Sequence, residues 1–397
     1  MTQSTPQPDR IAFLDNLRSL MILLVVILHS SLAYCNLTPW WPVWDDNRSV
    51  IFDIFVLIRD SFGMPVLFFI AGYFTLPALQ RKKAVAAFLI SKLKRLGIPL
   101  ILGIYLLVPV MPYLGRVTRE TSPSTGYGEF WLDFVKLSLD FKLEIMKTGQ
   151  VFTHGHLWFL SLLLAFYFLF LVFYVGLRKP VEEIIKARPE GRDRTSGKTL
   201  SVLLILWFIP AVLAAWISLY VSNLAWINFY NILVFRPVRF PVYFGYFLFG
   251  IYFNFRGGWR GLPLPGNVAI ILAFSVLLSV AYLTEVKTVL EEYPDYTLTV
   301  ALTHHGLHSA VCLSYFCLLM ALLFKYGNRS SRLSRALADN SYYIYWVHMP
   351  IVLGLQWIFH GIDWSIYIKF ILAACFSIMF SYGLSEWLIR RAGKLLK

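Results

Sequence analysis

Apolar runs of about 20 residues, long enough to cross a bilayer as helices, recur along the chain between polar stretches. The pattern predicts ten spanning helices, near residues 17–35, 61–79, 96–113, 157–177, 200–222, 238–255, 267–284, 309–325, 341–359 and 365–388. Residues 48–60 mix apolar and charged positions, which predicts an interfacial helix before the second span. The chain is therefore predicted to be helical and largely within a membrane.

The polar stretches alternate in charge, which predicts the orientation of the spans. Basic residues collect in 81–95, 178–198, 256–260, 325–335 and 390–397, and the intervening stretches are poorer in cations. Because Lys and Arg are enriched in cytoplasmic loops, both termini are predicted to be cytoplasmic, in agreement with an even number of spans. The long loop 114–156 is predicted to be the largest ordered piece outside the membrane.

Composition supports an all-α polytopic membrane bundle of about ten transmembrane helices. Hydrophobic residues make up 58% of the chain and charged residues 15%, too little charge for the surface of a soluble domain of this length. The net charge of +14 does not indicate nucleic acid binding, because the cations lie in the loops between spans. The four cysteines lie in or beside apolar runs without metal-ligand spacing, so no disulfide framework and no metal site are predicted.

The domain organisation is predicted to be a single membrane domain over residues 1–397. Residues 1–16 form a polar N-terminal segment, 178–199 a charged linker and 389–397 a basic tail, all predicted to be cytoplasmic. No internal repeat is visible, which disfavours a transporter built from inverted repeats.

The first span contains a histidine, His29, and a basic residue, Arg18, eleven residues apart. On a helix this spacing places both side chains on one face, about 16 Å apart along the axis. Ionisable groups within a span often mark a polar path or site, and a neutral imidazole is a good general base. Two simpler interpretations remain: His29 bonds a neighbouring helix, and Arg18 is an anchor that reaches the headgroups.

Two basic residues before the third span, Lys92 and Arg95, have a similar double interpretation. They are either positive-inside anchors or a cytoplasmic phosphate site, since cations beside a helix start bind anionic groups. Asp15 and Asn16 precede the first span and are predicted to cap its helix.

Further candidates lie near the outer ends of spans four and six. His154 and His156 precede the interface aromatic Trp158, but no acidic or cysteine partner is nearby in sequence, so metal binding is disfavoured. Arg236 and Arg239 are unusual because outer ends are cation-poor. They are predicted to grip a sugar or to pair with an acid among Glu285, Glu291, Glu292 and Asp295.

The last two spans add His348 and Glu386. His348 lies in an aromatic stretch just before Pro350, so it either lines a cavity or holds two helices together, and the sequence favours the second role. Glu386 is predicted to pair with Arg390, four residues later.

Several of these segments together resemble the acyltransferase 3 family, whose members are membrane enzymes that O-acylate sugars and other acceptors. Arg18, ten intervening residues and His29 resemble the first-span motif of the family. The other similar segments are 62–73, 92–99, 156–160, 343–350 and Glu386. The chain departs from the family pattern at Ala71, where serine is usual, and at Lys92, where arginine is usual.

Within the family, the size and sequence character of the chain are most similar to those of stand-alone members that resemble periplasmic glucan succinyltransferases. It implies transfer of an acetyl or succinyl group from cytoplasmic acetyl-CoA or succinyl-CoA to a carbohydrate hydroxyl on the outer side of a bacterial inner membrane. His29 would be the general base, and Arg18, Lys92 and Arg95 would lie near the phosphates of the donor. His156, Trp158, Arg236, Arg239, His348 and Glu386 are candidates for a cavity or acceptor site. A transporter or flippase of a polar or lipid-linked sugar is the alternative, because it also needs a polar path.

Overall fold

The computed structural model describes residues 11–82, 84–119, 126–147, 154–177, 196–258, 267–292 and 297–389. Within these ranges the chain is mainly α-helical. The first ten residues, most of the predicted linker 178–199 and the tail after residue 389 lie outside the described residues.

The helices follow the predicted apolar runs closely. They are α1 (Ala12–Ser31), α2 (Val50–Tyr73), α3 (Thr75–Lys82), α4 (Val85–Lys92), α5 (Ile98–Leu106), α6 (Val110–Arg119), α7 (Tyr127–Ser138), α8 (Trp158–Gly176), α9 (Ser196–Ser218), α10 (Phe240–Phe255), α11 (Val268–Glu292), α12 (Leu298–Tyr326), α13 (Arg332–Phe359) and α14 (Ile366–Leu384). Short helical turns lie at Leu32–Tyr34, Leu93–Gly97, Gly155–Leu157, Pro237–Arg239 and Ser385–Ile389.

Eight helical segments of the described residues are long and apolar enough to cross a membrane. They are Ala12–Tyr34, Val50–Lys82, Val85–Arg119, Gly155–Gly176, Thr199–Ser218, Val268–Thr288, Leu298–Tyr326 and Ile366–Trp387. Each overlaps a predicted span. The other two predicted spans are also helical, as α10, which has only 16 residues, and as the more polar α13. The all-α, multi-pass class predicted from the sequence is confirmed.

Two pairs of helices have the relative directions that the predicted alternation requires. α2 and α10 run the same way, because Asp60 meets Arg236 at one end and Tyr73 meets Phe253 further along both helices. The same test shows that α1 and α13 run in parallel, since Arg18 bonds Ala338 near the start of both and His29 bonds His348 further along. The predicted second and sixth spans, and the first and ninth, therefore point in common directions.

The predicted interfacial helix at residues 48–60 is wrong. Ser49 caps a single helix, α2, that continues from Val50 into the second span without a break. The charged positions of this stretch are used inside the bundle: Asp53 accepts hydrogen bonds from the backbone of Asn36 at 2.7 Å, and Arg59 is only 3% exposed.

The predicted caps of the first span are also wrong. α1 begins at Ala12, and Ile11 precedes it without a side-chain cap. Asn16 instead donates to the carbonyl of Gly327 at 2.6 Å, and Asp15 forms an ion pair with Arg18. Neither side chain caps the helix: that of Asn16 makes a tertiary contact, and that of Asp15 forms an ion pair within α1.

A small antiparallel sheet joins two loops that are far apart in sequence, and it was not anticipated from the sequence. Strand β1 (Leu143–Lys147) belongs to the long loop 114–156 and pairs with β2 (Ala225–Phe229), which pairs with β3 (Leu233–Phe235). Asn231 adopts a positive φ of 51° in the β2–β3 turn, a conformation that asparagine tolerates. The long loop is ordered in its described parts as α6, α7 and β1.

Two glycines allow α2 and α10 to approach at backbone distance. A Cβ atom added at Gly72 would meet the carbonyl oxygen of Phe247, and one added at Gly250 would meet the carbonyl oxygen of Phe69. Small residues that let helix backbones touch are a recurring device in membrane proteins. This contact fixes the position of α2, which carries Arg59 and Asp60.

Candidate active site

Three histidines from separate parts of the chain lie together inside the bundle. His29 comes from α1, His348 from α13 and His156 from the turn Gly155–Leu157. His348 Nε2 lies 3.1 Å from His29 Nδ1, and the rings of His156 and His348 have centroids 5.2 Å apart. Of the candidate residues, the structure brings His29, His156 and His348 together in this histidine cluster.

Backbone carbonyls determine which ring nitrogens carry the protons. His348 Nδ1 lies 2.6 Å from the carbonyl oxygen of Tyr345, which can only accept, so Nδ1 carries the hydrogen. In a neutral imidazole the other nitrogen then accepts, so His29 Nδ1 must donate to His348 Nε2. His29 is left with a lone pair on Nε2, the nitrogen that a general base needs.

His156 is held in place by contacts with α13, the helix that carries His348. Its Nε2 lies 3.1 Å from the carbonyl oxygen of Trp346, and its own carbonyl accepts from the Tyr345 hydroxyl at 2.5 Å. Gly155 has a φ of +46°, and a Cβ atom there would press against Val108. The local turn that presents His156 therefore depends on glycine.

Two residues that sequence reasoning missed support His29. Trp41 stacks on its imidazole, with ring centroids 5.8 Å apart, and donates to Gln356 at 2.8 Å. Gln356 donates in turn to the carbonyls of His29 and Ser30, at 3.0 and 3.1 Å. A glutamine within an apolar span was the available signal, because a buried amide requires partners.

Arg18 is bound inside the bundle and does not extend freely to the headgroups. It donates to the Ser341 hydroxyl at 3.2 Å and to the Ala338 carbonyl at 3.1 Å, and it pairs with Asp15 at 2.9 Å. About a third of its side chain, 32%, stays exposed. Arg18 can therefore still meet a ligand at this end of the bundle.

Arg95 and Lys92 lie at the same end as Arg18. The Tyr342 hydroxyl donates to the Arg95 carbonyl at 3.0 Å, next to the Ser341 that Arg18 contacts. The Arg95 side chain is exposed, whereas the Lys92 ammonium sits 4.1 Å from the Tyr167 ring centre. This basic end and the histidine cluster are separated by about 16 Å along α1.

The other candidates form two further groups. Trp158 stacks on Tyr243, with centroids 5.7 Å apart, beside Arg236 and Arg239. The acid that meets Arg236 is Asp60 of α2, at 3.6 Å, and the predicted partner Glu285 is bound to His304. The expected pairing with Glu285 is wrong, because α2 brings the Asp60 carboxylate to Arg236 and Glu285 bonds His304 instead. The side chains of Glu291, Glu292 and Asp295 lie outside the described residues.

Glu386 lies away from the histidine cluster. It accepts from Asn340 Nδ2 at 2.6 Å, and the Asn340 side-chain oxygen accepts from Ser385 at 2.5 Å. Asn340 is the neighbour of Ser341 in α13, so Glu386 belongs to the end of the bundle that holds Arg18. Its predicted partner, Arg390, lies outside the described residues.

The fold and these side chains define a multi-pass membrane protein with a histidine site inside the bundle and basic residues at one end of it. The sequence model of an acyltransferase domain, that of the acyltransferase 3 family, matches residues 11–389. The chain belongs to this family, as the first-span motif predicted.

Curated relatives share about half of the chain. Glucans biosynthesis protein C of Shigella dysenteriae serotype 1 (strain Sd197) is 28% identical over 198 residues, which cover 50% of this chain and 45% of that protein. The proteins of the same name from Escherichia coli strains SMS-3-5 and O6:K15:H31 are 29% identical over equal shares. The chain therefore spans less than half the length of these relatives. No solved structure matches it.

Proposed function

We propose that this protein is a membrane-bound O-acyltransferase that moves an acetyl or succinyl group from cytoplasmic acyl-CoA to a carbohydrate hydroxyl on the outer side of a bacterial inner membrane. The observation that carries the proposal is the hydrogen-bond chain from the Tyr345 carbonyl through His348 to His29, in a member of an acyltransferase family. The names of the relatives, which refer to glucans, support a carbohydrate acceptor. The basic loops support cytoplasmic termini.

The donor binds at the basic end, with its phosphates near Arg18, Lys92 and Arg95. Guanidinium groups bind phosphate through paired hydrogen bonds, and the Arg95 side chain is exposed, so a phosphate can reach it. The pantetheine arm then follows the face of α1 toward His29, over about 16 Å. This arrangement gives the two ends of the site separate tasks: the basic end holds the donor and the histidine cluster carries out the chemistry.

The transfer exchanges one bond for another at the thioester carbonyl. His29 Nε2 takes the proton of the acceptor hydroxyl as its oxygen attacks the carbonyl carbon. A C–O bond forms, the C–S bond breaks, and the proton passes to the sulfur of CoA. While His29 is an imidazolium, its Nδ1–H remains bonded to His348, which keeps the ring oriented.

Mass spectrometry of envelope glycans tests this function. Cells with the protein should carry glycans heavier by one acetyl or one succinyl ester, and cells without it should lack that species. Re-expression of the wild type should restore the ester, and re-expression of a His29→Gln variant should not. Identical glycan profiles in all strains would refute the proposal.

Arg95→Gln should raise the KM for the acyl-CoA donor roughly ten-fold or more, because it removes charge-assisted hydrogen bonds to phosphate. If these contacts are equal in the ground and transition states, kcat should change little. Steady-state kinetics with purified protein measure both constants. The matched control is Lys94→Gln, which removes an exposed neighbouring charge and should leave KM within about two-fold. Equal effects of the two variants would contradict a phosphate contact of Arg95.

His348→Ala should lower kcat by roughly 10²-fold or more with the donor KM retained, because His29 loses the group that holds its tautomer. The acidic limb of the kcat–pH profile should also move, since His348 no longer accepts from the His29 imidazolium. A purely structural role would reduce the yield of folded protein without moving this limb. An unchanged profile would therefore show that His348 does not position His29.

A further inference from the structure

A separate apolar cluster lies directly beyond the histidine cluster, at the end of α1 that is farther from Arg18. It begins with Leu28 and Met349, the sequence neighbours of His29 and His348. We call this set the Trp41 cluster, and its other buried members are Leu32, Ala33, Tyr34, Cys35, Trp41, Val43, Phe52, Leu353 and Ile366. The two histidines therefore lie at the boundary between this cluster and the main apolar core of the bundle.

Trp41 brings the cluster into contact with the candidate base. Its side chain is 1% exposed, and its indole ring stacks on the His29 imidazole with an angle of 19° between the ring planes. One face of the imidazole is therefore covered by an apolar ring. His29 itself is only half-buried, so substrates can still reach it from another side.

Two helices hold Trp41 in this position. Gln356 of α13 accepts from the indole N–H at 2.8 Å, and Arg119 at the end of α6 donates to the backbone carbonyl of Trp41 at 2.8 Å. Arg119 also donates to the carbonyl of Pro39 at 2.9 Å, two residues earlier in the same loop. Because Trp41 is bound both at its ring and at its backbone, it cannot turn away from His29 without breaking these bonds.

A buried ion pair holds the same loop, residues 36–49, on another side. The carboxylate of Asp45 lies 2.8 Å from the ammonium of Lys369 on α14, and both side chains are buried. The backbone N–H of Asp45 also donates to the carbonyl of Ala33 at 3.0 Å. Because taking two charges out of water is costly, such a pair contributes little to stability. Its contribution here is a fixed position of the loop over the end of α1.

The proposed chemistry at His29 requires protection from water. A base that takes a proton from a sugar hydroxyl can also take one from water, whose oxygen then attacks the same thioester carbonyl. In that side reaction a C–O bond to water forms, the C–S bond breaks, one water proton passes to the sulfur of CoA, and a free carboxylic acid is released. Enzymes suppress such hydrolysis by excluding water from the site.

We propose that Trp41 is a specificity-determining residue that keeps water from His29, so that the acyl group passes to a sugar hydroxyl and is not hydrolysed. The inference rests on the proposed acyl transfer. Water that approaches from this end of the bundle meets the indole ring and the Trp41 cluster before it reaches the base. Arg119, Gln356 and the pair of Asp45 and Lys369 act through Trp41 and are positioning residues.

Hydrolysis of the donor without an acceptor tests this role. Purified protein is given acetyl-CoA or, in parallel, succinyl-CoA, and free thiol is measured. We expect Trp41→Ala to release thiol several-fold faster than the wild type, because water gains access to His29. Trp41→Phe, which keeps an aromatic ring over the imidazole, should stay closer to the wild type. Misfolding and a weaker acceptor site cannot produce such a gain.

The same variants are then compared with a glucan oligosaccharide as acceptor. The wild type should release about one thiol per sugar ester, and Trp41→Ala should release several, with the excess recovered as free acid. The matched control is Trp357→Ala, at a tryptophan of α13 that is 50% exposed and lies next to Gln356 in sequence. It should keep both the wild-type ratio and the wild-type rate of hydrolysis.

Arg119→Ala supplies a variant that retains the indole ring. Arg119 is exposed, so its loss leaves no buried charge unpaired and the fold should be retained. The loop that carries Trp41 loses two hydrogen bonds, and hydrolysis without acceptor should rise, by less than in Trp41→Ala. The matched control is Arg116→Ala, on the same helix, which removes an arginine stacked on Phe130 and should not raise hydrolysis. This pair decides the question if Trp41→Ala does not fold.

Other outcomes would overturn the inference in distinguishable ways. Hydrolysis at the wild-type rate in well-folded Trp41→Ala or, if that variant does not fold, in Arg119→Ala would show that Trp41 does not exclude water, and acyl transfer would stand. An equal rise in Trp357→Ala would also overturn the inference, since a general loosening of the bundle would then suffice. Formation of no sugar ester by the wild type from either donor would refute the proposed acyl transfer, and the inference with it.

Discussion

His29→Gln should lower kcat for acyl transfer by about 10²–10⁴-fold while the KM for the donor changes little. The glutamine amide can still donate to His348 Nε2, so the contact between α1 and α13 is retained. It cannot take a proton from the acceptor hydroxyl, and the loss therefore falls on the chemical step. Kinetics with labelled acyl-CoA and purified, monodisperse protein measure it.

The matched control is His360→Gln, at an exposed histidine just after α13. It should leave both constants unchanged. Full activity of a well-folded His29→Gln protein would contradict the role of His29 as base. Loss of donor binding in His29→Gln, with turnover alone lost in Arg95→Gln, would mean that the two ends of the site are exchanged.

Gly72→Ala should destabilise the protein by about 1–3 kcal/mol, because the new methyl group meets the carbonyl oxygen of Phe247 on α10. The obstacle is backbone, so α2 and α10 must separate to admit the methyl group. The expected result is a lower Tm and a smaller yield of monodisperse protein. Thermal unfolding in detergent, followed by the loss of monodisperse protein, measures the change.

Gly354→Ala is the matched control for this substitution. Gly354 also lies within a helix, but a Cβ atom there meets nothing within 4 Å. Alanine should therefore leave Tm unchanged or raise it slightly through its higher helix propensity. Equal melting temperatures of the two variants would contradict the close contact of α2 and α10.

The length of each apolar run explains why the membrane class and the helix positions could be predicted from the sequence. An apolar run such as 157–177 forms a helix in a membrane whatever its tertiary contacts, because its backbone groups must be hydrogen-bonded within the segment. The structure departs from the prediction where partners come from far away in sequence. In the β1–β2 pairing, Ile145 lies opposite Ile227, 82 residues later, and Lys369, inside the last predicted span, is buried against Asp45 at 2.8 Å. No periodicity within one segment contains such pairings.

In the candidate site too, features of a single helix could be predicted, whereas contacts between distant segments could not. The face shared by Arg18 and His29 follows from one helix and could be derived from their spacing. His348 is 319 residues from His29, and the sequence favoured a role in holding helices together. That role and the contact with His29 turn out to be the same interaction. The proximity of Arg59 to Arg236 and Arg239 could not be predicted, because Arg59 lay in the stretch predicted to be interfacial.

Release of CoA by the purified protein tests the central claim most directly. The protein in sealed vesicles is given labelled acyl-CoA and an oligosaccharide, and free thiol, oligosaccharide ester and transported sugar are measured together. The acyltransferase account predicts one thiol per ester formed, and loss of both products in His29→Gln. Oligosaccharide that crosses the membrane while the donor stays intact, unaffected by His29→Gln, would contradict it and indicate a transporter.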